Sequence, residues 1–448
     1  MNEYKILIEQ LFKKAAKNSI TDMEAYFREG ERFSVNIYKG EIEDYKLSNS
    51  IGLGFRGFYN GKIGYSYTEK VSEDSFDMLI KDVKENATIN DSEDYEVIYE
   101  GSKHYENVKT YNEELDKVTE VEKIQFAKDM EKYAYELDKR VKACQGCLFS
   151  SGTSNVIIMN NKGLYLNEKS NGAFSYIFLA VGDDKEISTG FEFVISNDFT
   201  KYNAKNMATK AVNDAIKMLG AKSIKSGNRK ILLEARISAD LLATIQGIFS
   251  ARAVQKGVSM LKGKLNKQVA NKCVTLVDNP FLENGSASSA FDGEGVATKY
   301  KKIIENGILK TYLYNLKTAI KDGVESTGNA SRDSYKSTIG IAPSNLYFDR
   351  GDKTFAQLVE EVKDGVYITD LDGMHSGFST ISGDFSLGAK GFLIENGKLS
   401  YAINQITVSG NYFELLNNIE SVGNDLLFSS SGTGSPSLII KDLAIAGE

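Results

Sequence analysis

Two histidines, His104 and His375, and three cysteines, Cys144, Cys147 and Cys273, are the whole supply of imidazole and thiol in 448 residues. A catalytic zinc site usually draws three ligands from His, carboxylate and Cys. The histidines stand far apart in SKHYE and GMHSG, so no H-E-x-x-H pair can be written. His375 lies in a glycine loop near Ser376, Ser379, Thr380 and Ser382 and is the one plausible base for a Ser–His arrangement. Neighbours within a loop rarely present triad geometry. Cys144-Gln-Gly-Cys147 matches C-x-x-C, but a redox pair needs a helix N-terminus to lower one thiol pKa. This pair falls in a predicted strand, where i and i+3 point to opposite faces, and reads as core. Gly52-Leu-Gly54-Phe-Arg-Gly57 matches G-x-G-x-x-G. A dinucleotide site needs that turn between a strand and a helix. Alternating β residues and an Asn-Gly turn follow it instead, so the glycines belong to a hairpin.

The carboxylates are richer. Phe291-Asp292-Gly293-Glu294-Gly295 places two acids in a glycine turn, and Gly383-Asp384-Phe385-Ser386 places a third. The plain reading is turn chemistry, with the side chains capping backbone N–H groups. The functional reading is that loops 291–295, 327–330 and 376–391 line a cleft whose bare backbone pairs with an extended peptide. Asp292, Glu294, Asn329 and Asp384 are then the expected peptide-binding residues.

The elements that must position these residues form an α+β, multidomain pattern. Residues 3–17 make an amphipathic helix. Two hairpins follow, 32–47 turning at Lys39-Gly40 and 51–68 turning at Asn60-Gly61. A helix at 72–86 closes a first α+β domain, 1–94. A polar stretch to 118 opens a second, 95–227, with a long helix at 119–139. Strands at 142–150, 155–160, 163–166, 172–181 and 186–195 follow, then a helix at 203–219. The third domain, 228–448, is rich in antiparallel strands. It contains two hairpins of similar wording, KKIIENGILKTYLY and GFLIENGKLSYAI, and short helices at 354–363 and 412–420. It opens with a buried helix, Arg236 to Gly257, with Ser238 as N-cap and Gly257 as stop. Leu241, Leu242, Ile245, Ile248 and Phe249 lie on its apolar face.

Net charge is −7, and no basic cluster offsets it, which argues against a nucleic-acid partner. Three cysteines are too few for a disulfide framework, so a reducing cytoplasm is expected. No apolar run reaches the ~18 residues of a membrane span, and the charged N-terminus has no signal-peptide h-region. Exposed hairpin edges in the third domain call for cover, so a dimer is expected.

Four runs carry a resemblance: FDGEGVATKYKKIIENGILKTYLYN, STGNASRDSY, SGFSTISGDFSLGAKG and NQITVSGNYFELLNNIESVGND. In this order they resemble the TldD/TldE family, also called PmbA or modulator of DNA gyrase. The resemblance implies a metallopeptidase pairing two kinds of subunit. One kind carries H-E-x-x-x-H on a helix and a late cysteine, and so holds zinc. Matched residue by residue, that motif falls on Ala243-Thr244-Ile245-Gln246-Gly247-Ile248. The functional positions become Ala243, Thr244 and Ile248, and LLFSSSGTGSPSL after Val422-Gly-Asn-Asp425 has no cysteine. Positions i and i+5 stand about 140° apart on a regular helix, so the motif itself needs a locally altered helix. The resemblance therefore implies a TldE-like partner without metal in a cytoplasmic heterodimer. A TldD-like subunit supplies the zinc, and unfolded peptides are the substrate. A homodimeric peptidase using Asp292, Glu294, Asp384 or His375 is the alternative, and a peptide-binding scaffold with no protease partner is the third reading.

Overall fold

The computed structural model describes residues 2–90, 95–183 and 185–448. The expected boundary at Asp94 lies outside them. One six-stranded antiparallel sheet runs through most of the first half: β1 (Thr21–Tyr38), β2 (Glu41–Tyr59), β3 (Lys62–Thr68), β4 (Val141–Asn160), β5 (Tyr165–Gly182) and β6 (Ile187–Ser196). Their spatial order is β3-β2-β1-β4-β5-β6. The long central pair β1 and β4 joins from Glu24–Asn160 to Ile37–Cys147, so residues on either side of the polar stretch 95–118 share one ladder.

Several expectations change here: the strands expected at 163–166 and 172–181 are the single strand β5, and the first hairpin strand begins at Thr21, not at 32. The hairpins at 32–47 and 51–68 share the single 19-residue strand β2, not two separate strands. The expected break between 150 and 155 does not occur, because β4 continues through Ser150-Ser151-Gly152-Thr153-Ser154. Small polar residues suit this site, since both neighbouring strands pair with it along its length. Two helices, α1 (Asn2–Lys17) and α2 (Phe76–Ile89), bury Ile8, Leu11, Leu79 and Val83 with Phe27 and Phe55 of the sheet. The helices Glu120–Leu137 and Ala204–Lys217 cover Phe149, Ile177 and Leu179. Thr119 and Glu122 close a capping box on the first of them, satisfying two orphan N-terminal donors.

The C-terminal region is mainly strands around a closed barrel. The strands Lys398–Asn411, Asp384–Glu395, Gly365–Asp372, Gly227–Leu233 and Leu438–Ala446 follow one another, and the first pairs with the last. Closure removes exposed edges. One pair is parallel, Val366 with Ile231 onward, because the helical segment 235–255 and the second sheet intervene between them in sequence. All four expected two-residue turns form. Lys39-Gly40, Asn60-Gly61, Asn306-Gly307 and Asn396-Gly397 each have positive φ at both positions, as the right-handed strand twist prefers.

The opening helix departs from expectation at its start and in its middle. It starts at Ala235, so Ser238 is no N-cap; its buried hydroxyl finds no partner among the described residues. It stops at Ile245 and continues as a 3-10 turn, Gln246–Phe249, then a short helix, Ala251–Gln255. Gly257 closes it at φ 74°. Leu241, Leu242, Ile245, Ile248 and Phe249 join one core with Ile231, Val366, Leu387 and Ile440 of the barrel.

Candidate functional site

The segment 243–248 spans the switch from α-helix to 3-10 turn. Ala243 and Thr244 are half-buried and Ile248 is 4% exposed. The Thr244 hydroxyl is spent on Asp240 O at 2.8 Å. Facing this helix are the short strands Leu427–Phe428 and Gly434–Ser435, in the run that follows Asp425. Ser429 from this run bonds to Asp240, while burial pushes that carboxyl above the usual carboxylate range. The donors gathered here are hydroxyls and one carboxylate, a poor set for zinc, which prefers imidazole, thiolate and several carboxylates. Among the described residues no three His, Cys, Asp or Glu side chains stand close enough to hold a metal.

Buried charge concentrates elsewhere, where the large sheet meets the C-terminal region. Glu24 of β1 takes a two-pronged bond from Arg56 of β2, Nε to Oε1 and Nη2 to Oε2, both at 2.9 Å. Arg332 from the far end of the chain also donates to Glu24 Oε1 and, through Nε, to Gly293 O at 2.7 Å. Its guanidinium stacks 4.8 Å from the Tyr26 ring centre. Burial would raise the Glu24 pKa, but Arg56 and Arg332 outweigh it and hold the carboxyl low.

Asp292 and Glu294 enter the same cluster. Asp292 Oδ1 accepts from the N–H of Glu294 (2.8 Å) and Val296 (3.0 Å), and Oδ2 from Ala330 N–H (2.9 Å). Glu294 Oε2 accepts from Leu316 N–H at 2.8 Å, at the start of the helix Leu316–Asp322, while Oε1 stands 3.9 Å from Arg56 Nη1. Burial raises both carboxyls, and the two acids repel each other; backbone N–H bonds oppose the rise at both, and Arg56 opposes it at Glu294. Asn329 donates to Asp278 Oδ2 (2.8 Å) and Ala342 O (3.1 Å) and accepts from Thr327. These side chains act as clamps between loops, as their turn chemistry foretold.

The structure thus brings Asp292, Glu294 and Asn329 near one joint, while Asp384 is exposed and bonds to Asn411 at 2.8 Å. His375 lies exposed on the short helix Met374–Gly377 and makes no hydrogen bond among the described residues. The cysteine pair corrects a sequence expectation. A register shift between Cys144 and Gly146 adds a residue, so both thiols turn to the same face and the same core. Bonding to Cys144 and burial push the Cys147 thiol up, away from reactivity. The G-x-G-x-x-G run sits mid-strand in β2. A Cβ at Gly52 would lie 2.3 Å from the Tyr335 ring, and one at Gly54 2.7 Å from Tyr335 O. The glycines let the 332–338 loop lie on the sheet.

Glu24, Arg56 and Arg332 were not foreseen. Glu24 and Arg56 alternate with Ala25 and Phe55, which reads as a solvent face; only the packing of the other half of the chain over that face reveals it as buried.

Three family models match in order: PmbA/TldA metallopeptidase domain 1 over residues 23–87, the central domain over 113–219 and the C-terminal domain over 226–447. A metalloprotease PmbA homolog from Buchnera aphidicola is 29% identical over 427 residues, covering 92% of this chain and 90% of the relative. A solved structure from Thermotoga maritima, described as a modulator of a DNA gyrase, is 33% identical. It superposes with a TM-score of 0.92 over 99% of this chain and 100% of the other. TldE from Thermococcus kodakarensis is 21% identical and shares the fold, with a TM-score of 0.91 over 98% of this chain and 100% of that one.

Proposed function

The chain belongs to the PmbA/TldD metallopeptidase family, and from that premise we propose that it is the TldE-like subunit of a peptidase complex, one that does not itself hold the catalytic zinc. The observation that carries this reading is the make-up of segment 243–248. Ala243 and Ile248 offer no lone pair, Thr244 is bonded to its own helix, and the run after Asp425 faces them with hydroxyls. Threonine also cannot replace the glutamate that acts as base in zinc peptidases. In this proposal a TldD-like subunit brings the zinc, both chains work in the cytoplasm, and the substrate is an unfolded peptide. The self-contained alternative draws less support, because both Asp292 oxygens are committed to backbone N–H groups.

The test uses the purified full chain alone, then mixed with a TldD-like subunit whose H-E-x-x-x-H is intact. Chelator-sensitive cleavage of an unfolded peptide is expected only in the mixture. One tightly held zinc per chain together with cleavage by the isolated protein overturns the reading.

A further inference from the structure

Strand β2 is paired on one side only along its first half. Its outer neighbour β3 meets it from Leu53 to Tyr59, while β1 pairs with it from Glu41 onward. Among the described residues, no backbone group outside β1 bonds to residues 41–50. That leaves a bare edge roughly 30 Å long at ~3.4 Å per residue. At the opposite margin of the sheet Arg236 closes on β6, donating to Phe191 O at 3.4 Å. Soluble proteins blunt such edges with short strands or proline. This edge is long, and the three prolines stand elsewhere, at Pro280, Pro343 and Pro436. The apolar face of the sheet is also unfinished here. Phe33, Val35 and Ile37 of β1 are buried with Phe126 and Met130 of the helix Glu120–Leu137. Their partners on β2 are Leu47, Tyr45 and Ile42, which are 59%, 41% and 44% exposed. The apolar row therefore runs out to the edge and ends in water. On the other face Asp44 and Lys46 pair with each other at 2.7 Å.

We propose that this edge is completed by β2 of a second copy of the chain, running antiparallel about a two-fold axis at Tyr45. Two six-stranded sheets then join into one. Charge sets the register, because opposite charges directly across a strand pair stabilise it and like charges destabilise it. With Tyr45 opposite itself, Asp44 faces Lys46 of the second copy, and Lys46 faces its Asp44. An axis at Asp44 or at Lys46 sets a charge opposite its own copy. An axis at Leu47 gains no ion pair. In the Tyr45 register the two Tyr45 rings meet across the axis, and Leu47 lies diagonal to Tyr45 of the second copy, within reach of an aromatic ring. Both side chains thereby lose their contact with water. The proposal stands apart from the peptidase reading and concerns the isolated chain.

Sedimentation of the full chain without other subunits tests this, on wild type, Asp44→Lys and Lys46→Asp. Wild type is expected to dimerise below about 50 µM, and each variant alone roughly tenfold more weakly, since like charges then oppose each other at both pairs. An equimolar mixture of the two variants should recover the dimer, because each supplies the charge the other lacks. Both variants have lost their internal contact between positions 44 and 46, an exposed pair worth little. Recovery in the mixture therefore reads only the contact between chains, and melting curves check the folds. Cross-linking reads the register, in a Cys273→Ser background with oxidised glutathione taking up the two electrons. Tyr45→Cys is expected to give a covalent dimer, because directly opposite Cα atoms stand about 4.5–5.5 Å apart, within disulfide reach. Leu47→Cys is expected to give none, since its two copies lie four positions apart along the ladder, roughly 13 Å. Four results overturn the proposal: wild type monomeric at 50 µM, even if a TldD-like subunit then binds this edge; variants that dimerise as well as wild type; a mixture no better than its parts; or cross-linking through Leu47→Cys in place of Tyr45→Cys.

Discussion

Segment 243–248 and the Glu24–Arg56–Arg332 cluster divide the labour of this chain in opposite ways. The first sits where metallopeptidase relatives are expected to keep their chemistry, yet Ile248 faces the apolar core and Thr244 bonds to its own helix. Its helix changes geometry there, with a 3-10 turn after Ile245. The second lies where the sequence shows only ordinary strand and loop residues, and it holds buried charges that tie the large sheet to the C-terminal region. Unusual backbone stands where no ligand set gathers among the described residues, and unusual charge is used where two halves must meet. Backbone geometry and buried charge are therefore separate signals of function.

The comparison breaks most sharply at Glu24. Glu24→Ala leaves Arg56 and Arg332 buried without their shared carboxylate, and removing one partner of a buried pair costs roughly 3–5 kcal/mol. A urea midpoint lowered by that amount, or failure to fold, is expected. A loss under about 1 kcal/mol would mean the cluster is incidental to the joint.

Next comes the attempt to rebuild a metal site. Ala243→His, Thr244→Glu, Ile248→His is expected to cost roughly 2–4 kcal/mol, because a polar ring replaces buried Ile248. Elemental analysis should find little zinc, as the run after Asp425 supplies no third ligand of the right kind. Stoichiometric zinc with unchanged melting would show that the segment kept its site as well as its turn.

A smaller effect separates the two regions by pH. Glu234, just before the helix Ala235–Ile245, has its carboxyl pushed up to about 7, first by burial, against the pull of Arg236. The folded state then holds a proton that the unfolded state releases near pH 4.5. Stability from this group is full below the unfolded value and falls as pH rises through about 7. The loss amounts to at most about 3 kcal/mol at one pKa unit per 1.4 kcal/mol. Glu234→Gln should flatten the stability profile between pH 5 and 7 on the helix side while leaving Glu24 untouched. An unchanged profile would mean that Glu234 is ionised in the fold.

What the sequence made legible follows from how local each cause is. The turns Asn60-Gly61 and Asn396-Gly397 announce themselves because two successive positive φ angles suit few residues. Thr119 and Glu122 announce a helix start because the capping box is a contact over three residues. The hairpins turning at Asn306-Gly307 and Asn396-Gly397 marked the C-terminal region as strand-rich. The Ser150–Ser154 run misled, because small polar residues signal a loop unless two long neighbours hold them as strand. The cysteines misled because one bulge reverses a face. The Arg332–Glu24 bond spans 308 residues, so no local pattern carries it. Asp292 and Glu294 stood out as acids in a glycine turn, but their backbone partners at Ala330 and Leu316 come from distant loops.

The smallest expected effect asks whether shape, apart from charge, also holds the joint. Gly52 lies mid-strand with ordinary backbone, so alanine there costs nothing in φ and could even help by restricting the unfolded chain. Its Cβ, however, would stand 2.3 Å from the Tyr335 ring, closer than any carbon contact allows. Tyr335 cannot simply swing aside. Its hydroxyl donates to Glu69 at 2.8 Å, and its carbonyl accepts from Tyr65. Gly52→Ala should therefore displace the 332–338 loop and cost about 1–3 kcal/mol, in the range of overpacked cores. Tyr335→Ala alone loses the ring and the Glu69 bond, but in the double variant the new methyl has room. The double-mutant cycle should return a favourable coupling of about 1 kcal/mol or more between the two positions. Additive losses would mean the loop is held by Arg332 and its charge partners alone, with the glycines of β2 tolerating the loop without fitting it.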